Sequence, residues 1–351
     1  MHQHEVGRAG ESETANGVFV RRVRISGRAV FTPLAPLFLR SLNRTIEERD
    51  PDILHLHLPN PSAFWCLFSK SARERPWIIH WHSDVIGETS TWPIRLLYPI
   101  YRIFERALIR RANRVICTST PYMETSAPLS GFKNKCSSIP LGIPDNKEIT
   151  RRRHETLLEG QRPLKVICVG RLTFYKGHTF LINAVHDLPN VHLQIIGSGE
   201  LESELRREIR KLKLTDRVEL LTSLDNTGLF KLLSAADLLC LPSIERSEAF
   251  GLVILEAARA SLPALVTNVK GSGMAWVVCD HETGRVVEPR SSGALKTVLE
   301  EIQANHHWLN VAGKSARRRF ETNFVIEKAA GSIFDIYKQC GCNWPLNEED
   351  L

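Results

Sequence analysis

Leu164-Lys-Val-Ile-Cys-Val169 runs directly into Gly170-Arg171-Leu172-Thr173-Phe174-Tyr175-Lys176-Gly177, and the reading of this junction decides the fold. A short apolar run rich in β-branched residues, then a glycine turn, then a helical stretch is the unit from which parallel sheets with crossover helices are built. The same cadence recurs on both sides. Downstream it gives strands at Val191–Ile196 before Gly197-Ser198-Gly199, and at Arg217–Leu220, Leu238–Leu241 and Pro263–Thr267. Upstream it gives Asp52–His57, Trp77–His80 and Arg114–Cys117. The pattern predicts a doubly wound α/β architecture, in which ligands bind at the carboxyl ends of strands.

The alternation breaks once, between Asp145 and Pro163, in the charged segment Asp-Asn-Lys-Glu-Ile-Thr-Arg-Arg-Arg-His-Glu. A domain boundary is expected there. The expected division is 1–150 for a first domain, 151–163 for a linker and 164–324 for a second domain. A last helix within 325–340 is expected to pack back across both domains, and 341–351 reads as a tail. A chain of 351 residues that is 43% hydrophobic can bury two cores.

The stretch Trp92–Phe104 is too interrupted by Arg95 and Arg102 to span a membrane, and Met1-His-Gln-His-Glu5 leads into polar residues rather than a signal sequence. The eight cysteines are scattered, several inside apolar runs, as in a reduced cytoplasmic protein. Cys340-Gly-Cys342 has no partner pair at zinc-like spacing. A net charge of +7 invites anionic partners. Nucleic acid ranks last among these, because no RNP, KH or helix-turn-helix signature is present.

Three constellations carry the chemistry. Gly170 allows close approach of a ligand to the backbone, and Arg171 and Lys176 place two cations at a strand's carboxyl end, which suits a diphosphate. An ordinary βα turn with solvated cations would show the same pairs. Gly197 and Gly199 form a G-x-G fragment, a weak phosphate signal, in a tight turn expected to border the same cleft. The third is Ser247-Glu248-Ala249-Phe250-Gly251-Leu252-Val253-Ile254-Leu255-Glu256. Gly251 falls where a helix begins, so the amides near Phe250 to Leu252 can receive phosphate oxygens. Glu248 lies on the entry loop, where an acid also has plain dipole value, and Glu256 lies about one turn inside the helix. A glutamate in the apolar run Leu-Val-Ile-Leu-Glu-Ala-Ala needs a partner if it is buried.

Other patterns have plainer readings. Asp50-Pro51-Asp52 precedes a strand in a turn, where those residues are expected, and is rejected as a metal site. His55 with His57, and His80 with His82, alternate along strands and share a face; with no third ligand evident, no metal is assigned. The segment Tyr98 to Arg114 combines Ile100, Ile103, Phe104, Leu108 and Ile109 with five arginines, as in a helix on an anionic membrane surface or a core helix with a basic outer face.

These motifs, with Val266-Thr-Asn-Val-Lys-Gly-Ser-Gly-Met-Ala-Trp-Val-Val278, Thr283-Gly284 and Pro289 in the same order, make the second domain resemble the donor domain of glycosyltransferase family 4. The resemblance extends to the first domain through Asn16-Gly17-Val18, Thr32-Pro33-Leu34, Pro51–Pro59, Trp81-His82-Ser83-Asp84 and Ile139–Ile143, and is strongest to members that build O-antigen, capsule or exopolysaccharide on a lipid carrier. It implies a GT-B fold of two Rossmann-like domains facing across a cleft, and retaining transfer of a hexose from a nucleotide diphosphate sugar to a lipid-linked or glycan acceptor, with no metal or further cofactor. Arg171 and Lys176 would hold the diphosphate and stabilise its departure, Glu248 would contact the transferred sugar, and the Ala249-Phe250-Gly251-Leu252 backbone would help with phosphate. Glu256 would hydrogen-bond the ribose, and His82 would face the donor sugar and the acceptor. By the same resemblance the opening strand, glycine-rich loop and helix of the first domain are missing ahead of Asn16, so the first domain is expected to be incomplete. The alternative to transfer is a catalytically impaired relative that binds a nucleotide sugar. The expected location is cytoplasmic, at the inner face of the cell membrane.

Overall fold

The computed structural model describes residues 10–13, 17–29, 32–85, 92–145, 162–222 and 224–342. Two antiparallel pairs come first: β1 (Gly10–Glu13) with β2 (Phe19–Arg22), and β3 (Gly27–Ala29) with β4 (Thr32–Leu34). Helix α1 (Phe38–Arg49) leads to a parallel sheet of β5 (Leu54–Leu58), β6 (Trp77–Trp81), β7 (Arg114–Cys117) and β8 (Cys136–Ser138), which lie side by side in that order. Between the strands run α2 (Lys70–Arg73), α3 (Trp92–Arg111) and α4 (Thr120–Thr125). Trp77, Ile79 and Trp81 of β6 face Leu108 and Ile109 of α3, while Ile78 faces the opposite way; because β6 is covered on both faces, all five of its residues are buried.

The second sheet holds β9 (Leu164–Val169), β10 (Val191–Ile196), β11 (Val218–Leu221), β12 (Leu238–Leu241), β13 (Ala264–Thr267) and β14 (Gly284–Val287), all parallel. Its order is β11-β10-β9-β12-β13-β14. The order therefore reverses between β9 and β12, and this is where a doubly wound sheet opens a crevice. Six helices lie along this part of the chain: α5 (His178–His186), α6 (Glu202–Lys211), α7 (Asn226–Ala235), α8 (Leu252–Arg259), the short α9 (Met274–Val277) and α10 (Ser292–Ala304). Two more, α11 (His306–Asn323) and α12 (Ile326–Gln339), follow. Val166 and Cys168 point into one core with Leu181, Leu205 and Leu295, while Ile167 points into the other with Leu233, Ile254 and Phe320. The same two-sided burial at β12, with Leu238 and Cys240 in one core and Leu239 and Leu241 in the other, is why that strand reads as a continuous apolar run rather than an alternating one.

The chain crosses between the sheets at Ile143, whose amide donates to the Phe324 carbonyl at 3.0 Å and whose carbonyl accepts from Ile326 at 3.1 Å. Arg317 grips Asp145 with two hydrogen bonds of 2.7 and 2.8 Å. α12 then lays Ile336 against Ile78, Ile116 and Ile139 of the first sheet.

Several expectations need adjusting. The helix expected from Tyr98 to Arg114 begins at Trp92 and ends at Arg111, and Arg114 opens β7. Leu108 and Ile109 lie in the core, so its outward apolar face is Trp92, Leu96, Leu97, Ile100 and Ile103 instead. Strands β8 and β14 were not foreseen. Cys342, read as tail, is buried. Residues 343–351, most of the expected linker, and Asn16 lie outside the described residues. All eight cysteines are free thiols. Asp50 is the left-handed C-cap of α1 and pairs with Arg75, a structural role. Among the described residues no helix is long and apolar enough to cross a membrane.

Within α3, Glu105 is almost wholly covered; Tyr98 donates to its Oε2 at 3.0 Å, and its Oε1 has no partner. Burial, reinforced by the charge of Asp84 and opposed by the Tyr98 hydrogen bond and Arg102, pushes this carboxyl up to about 7. An acid whose folded value is raised contributes stability that is fully present below its ordinary value and is lost as pH rises through the folded one. Glu105→Gln should therefore raise Tm at pH 8 relative to the native chain by roughly 2–4 °C and flatten the fall in stability between pH 4.5 and 7. Thermal melts at pH 5 and pH 8 that show the same difference between the two chains would contradict this.

Candidate functional site

The candidate site is built at the carboxyl ends of β9 and β12. β9 ends at Val169, and the amide of Gly170 continues the sheet by donating to the Ile196 carbonyl at 3.0 Å. A Cβ on Gly170 would stand 2.8 Å from Lys176 Nζ, and one on Gly197 would stand 1.8 Å from the Gly170 carbonyl oxygen. The two glycine loops are thus pressed together, and only residues without side chains allow it. Gly199 abuts the Leu172 carbonyl in the same way.

Lys176 ends a 3-10 turn, Phe174–Lys176, that folds it back over the strand end, where it forms an ion pair with Glu248. Both side chains are nearly nine-tenths covered. Burial works to lower the basicity of Lys176, but the charge and hydrogen bond of Glu248 outweigh it and hold the ammonium above its ordinary value. Arg171 lies at the exposed rim, 3.3 Å from the Tyr175 hydroxyl, within the fields of Glu200 and Glu248.

Glu248 rides on the loop between β12 and α8. The Ser272 hydroxyl donates to its carbonyl, and the amide of Gly273 donates to that of Ala249 at 2.7 Å. Gly251 caps α8 with φ 78°, a left-handed conformation that favours glycine. Phe250 is buried against Phe324, so its backbone is what it can offer a ligand, while Leu252 is half exposed at the first turn. Glu256 stands one turn further on, partly buried and without a hydrogen-bond partner among the described residues. Burial raises its carboxyl above the ordinary value, opposed by the charge of Arg259.

The structure brings Gly170, Lys176, Gly197 and Glu248 into one cluster, with Arg171 at its rim and Glu256 on the adjoining helix. His82 belongs to the other domain, just past β6. The link between the two is a contact that the sequence reading missed: Arg246, two residues before Glu248, meets Asp84, two residues after His82, at 3.1 Å. Arg246 also donates to the Thr125 carbonyl at 3.0 Å and stacks on Tyr122. Asp84 is held by Trp81 Nε1 at 2.9 Å and the Ser126 hydroxyl at 2.7 Å. The available signal was position, since Asp84 lies inside the motif Trp81–Asp84 and Arg246 immediately precedes the motif Ser247–Glu256.

The histidines also form one group. The β5–β6 register sets His57 opposite His80, so the two pairs merge into a stack of four imidazoles, and the third ligand that the sequence did not reveal comes from the neighbouring strand. Ring nitrogens of His55, His57 and His80 lie within 4.8 Å of one another. Burial, aided by neighbouring imidazoles, lowers His80 to about 3 and His55 and His82 to about 4.

A concavity of about 760 Å³ lies elsewhere, along β9, β10 and β11 among Lys165, His192, Arg206 and Glu219. It faces away from the strand ends at which doubly wound sheets bind ligands.

Two family models match the sequence: Glycosyl transferases group 1 over residues 150–319 and Glycosyl transferase 4-like domain over residues 3–142. The chain belongs to this glycosyltransferase family, and its two parallel-sheet, Rossmann-like domains are of the GT-B type. It is 27% identical over 315 residues to the O-antigen chain mannosyltransferase C of Escherichia coli, covering 86% of this chain and 79% of that one. Sucrose-phosphate synthase from Thermosynechococcus elongatus superposes with a TM-score of 0.74 at 23% identity, covering 95% of this chain and 86% of that one. The Anabaena protein HepE, in its complex with UDP-glucose, gives 0.69 at 21% identity, covering 87% and 82%.

Proposed function

We propose that this glycosyltransferase moves a hexose, with retention of anomeric configuration, from a nucleotide diphosphate sugar to a lipid-linked or glycan hydroxyl in cell-surface polysaccharide synthesis. The observation that carries the reading is the Lys176–Glu248 pair at the strand-order reversal of the second sheet. Departure of a nucleoside diphosphate concentrates negative charge on the bridging oxygen and the phosphate behind it. Fixed cations aimed at that charge lower the barrier, because they need no reorganisation when the bond breaks. Lys176, held protonated and immobile, and Arg171 at the rim supply this charge, so the diphosphate needs no metal ion. The amides at Gly251 and Leu252 add the positive end of α8.

Glu248 anchors Lys176 through Oε2, which leaves Oε1 for a hydroxyl of the transferred sugar. Glu256, lacking a protein partner, is suited to the ribose hydroxyls. His82 approaches from the first domain toward sugar and acceptor, and the Asp84–Arg246 contact sets its distance from Glu248. Retention of configuration rests on the family resemblance rather than on a side chain of the site. The relative in Escherichia coli is a mannosyltransferase of O-antigen chains, which supports a hexose donor and a surface-glycan acceptor. The complex of HepE with UDP-glucose supports a nucleotide sugar in this fold.

A nucleoside diphosphate should raise Tm, by about 2.7 kcal/mol of stabilisation at a hundredfold excess over Kd, and Arg171→Ala or Glu256→Ala should remove the shift. Thermal melts with UDP, GDP and ADP check this; no shift with any of the three contradicts the reading, and binding without product from lipid-linked acceptors would leave only a nucleotide-sugar binder.

We further propose a peripheral position at the inner face of the cell membrane, with α3 as the contact. Trp92, Leu96, Ile100 and Ile103 form an exposed apolar stripe flanked by the exposed Arg95, Arg102 and Arg106. Apolar insertion combined with attraction to anionic headgroups gives binding that weakens with salt. Co-sedimentation with phosphatidylglycerol vesicles should be clear at low salt and lost in Leu96→Glu/Ile103→Glu. Equal sedimentation of both chains, or none of either, would exclude α3 as the contact.

A further inference from the structure

We propose that His55, His57 and His80 form a binding site for one divalent cation of the first transition series, of the zinc type, on the first sheet beside His82. This goes beyond the transfer reaction, whose diphosphate is served by Arg171 and Lys176 in the other domain.

The site follows from strand register. β5 and β6 are parallel neighbours, with His55 opposite Ile78 and His57 opposite His80, so the three imidazoles leave the same face of adjacent strands. One ring nitrogen from each of the three already lies within 4.8 Å of the others. Tetrahedral coordination at zinc–nitrogen distances near 2.0–2.1 Å requires nitrogen separations of about 3.3 Å, so the stacked rings need to turn toward a common centre. Ring planes now 5° to 23° from parallel allow this by side-chain rotation, without moving the strands.

A second observation is independent of spacing. His80 is 5% exposed, yet neither of its ring nitrogens has a hydrogen-bond partner, and Nε2 of His55 is likewise buried and unpartnered. Buried polar atoms are ordinarily satisfied, and a coordinated cation satisfies an unprotonated imidazole nitrogen, histidine being the commonest metal ligand. The outer nitrogens are already held: His55 Nδ1 lies 2.6 Å from the Tyr337 hydroxyl, and His57 Nδ1 lies 2.8 Å from His82 Nε2. Metal-binding imidazoles are oriented by such contacts. An all-imidazole donor set favours zinc, copper or nickel over magnesium or calcium, and three ligands leave a fourth tetrahedral position for water. Through the His57–His82 contact, the bound cation would also fix His82.

The test uses the full chain, stripped of metal with a chelator and then titrated with zinc and with cobalt(II). A single equivalent should bind, Tm should rise by roughly 5–10 °C at a hundredfold excess of zinc over Kd, and cobalt should give the visible bands of a tetrahedral nitrogen site. His57 is exposed, so His57→Ala should fold normally while losing at least about a hundredfold in affinity; Tyr337→Phe, which removes an orienting contact, should lose about tenfold. His306→Asn/His307→Asn, on α11, should bind as the native chain does. No zinc-dependent change, full affinity in His57→Ala, or a cobalt spectrum with thiolate charge-transfer bands would overturn the proposal, the last by moving the metal to cysteine.

Discussion

The ion pair between Lys176 and Glu248 is the constraint around which the second domain is arranged. Two charges so largely withdrawn from water are tolerable only in contact with each other, because losing either leaves the other uncompensated. Their meeting depends on local features far apart in the chain. Gly170 leaves space for the lysine stem, the turn Phe174–Lys176 directs the ammonium inward, and Ser272 holds the Glu248 backbone from a third loop. All three loops leave the carboxyl ends of β9, β12 and β13, so the sheet order places them side by side.

The first domain reaches this pair through Arg246. Arg246 is on the same loop as Glu248, and its hold on Asp84 connects that loop to the segment carrying His82. Arg246 also spans Tyr122 and the Thr125 carbonyl, so the loop that carries Glu248 is the one that contacts the other domain. The crossing at Ile143 and the packing of Ile336 of α12 under the first sheet set the two cores against each other from the opposite side. A change at this joint would act on the site without touching a ligand.

How much could be read in advance depended on whether a feature is local. Strands such as β12 and β13 were legible because both faces are buried, which produces an unbroken run of buried residues. β8, with Cys136-Ser-Ser138, and β14, with Gly284-Arg285, lack such a run; they are strands because a neighbour pairs with them, and sequence does not display neighbours. Within the site, the spacing of Glu248, Gly251 and Glu256 along one loop and helix was readable, since helix geometry is fixed by residue count. The Arg246–Asp84 contact and the imidazole stack were not, because each requires the register or docking of segments remote in the chain. The pair His80 and His82 was visible on its own strand, but its union with His55 and His57 appears only when β5 lies against β6.

The central claim, that the donor diphosphate binds where Lys176 meets Glu248, is tested most directly by a crystal structure with a bound nucleoside diphosphate. The account predicts phosphate oxygens within hydrogen-bonding distance of Lys176 Nζ and of the Gly251 or Leu252 amides, with Glu256 on the ribose. A diphosphate in the concavity between Lys165 and Arg206, with the Lys176–Glu248 pair untouched, would contradict it.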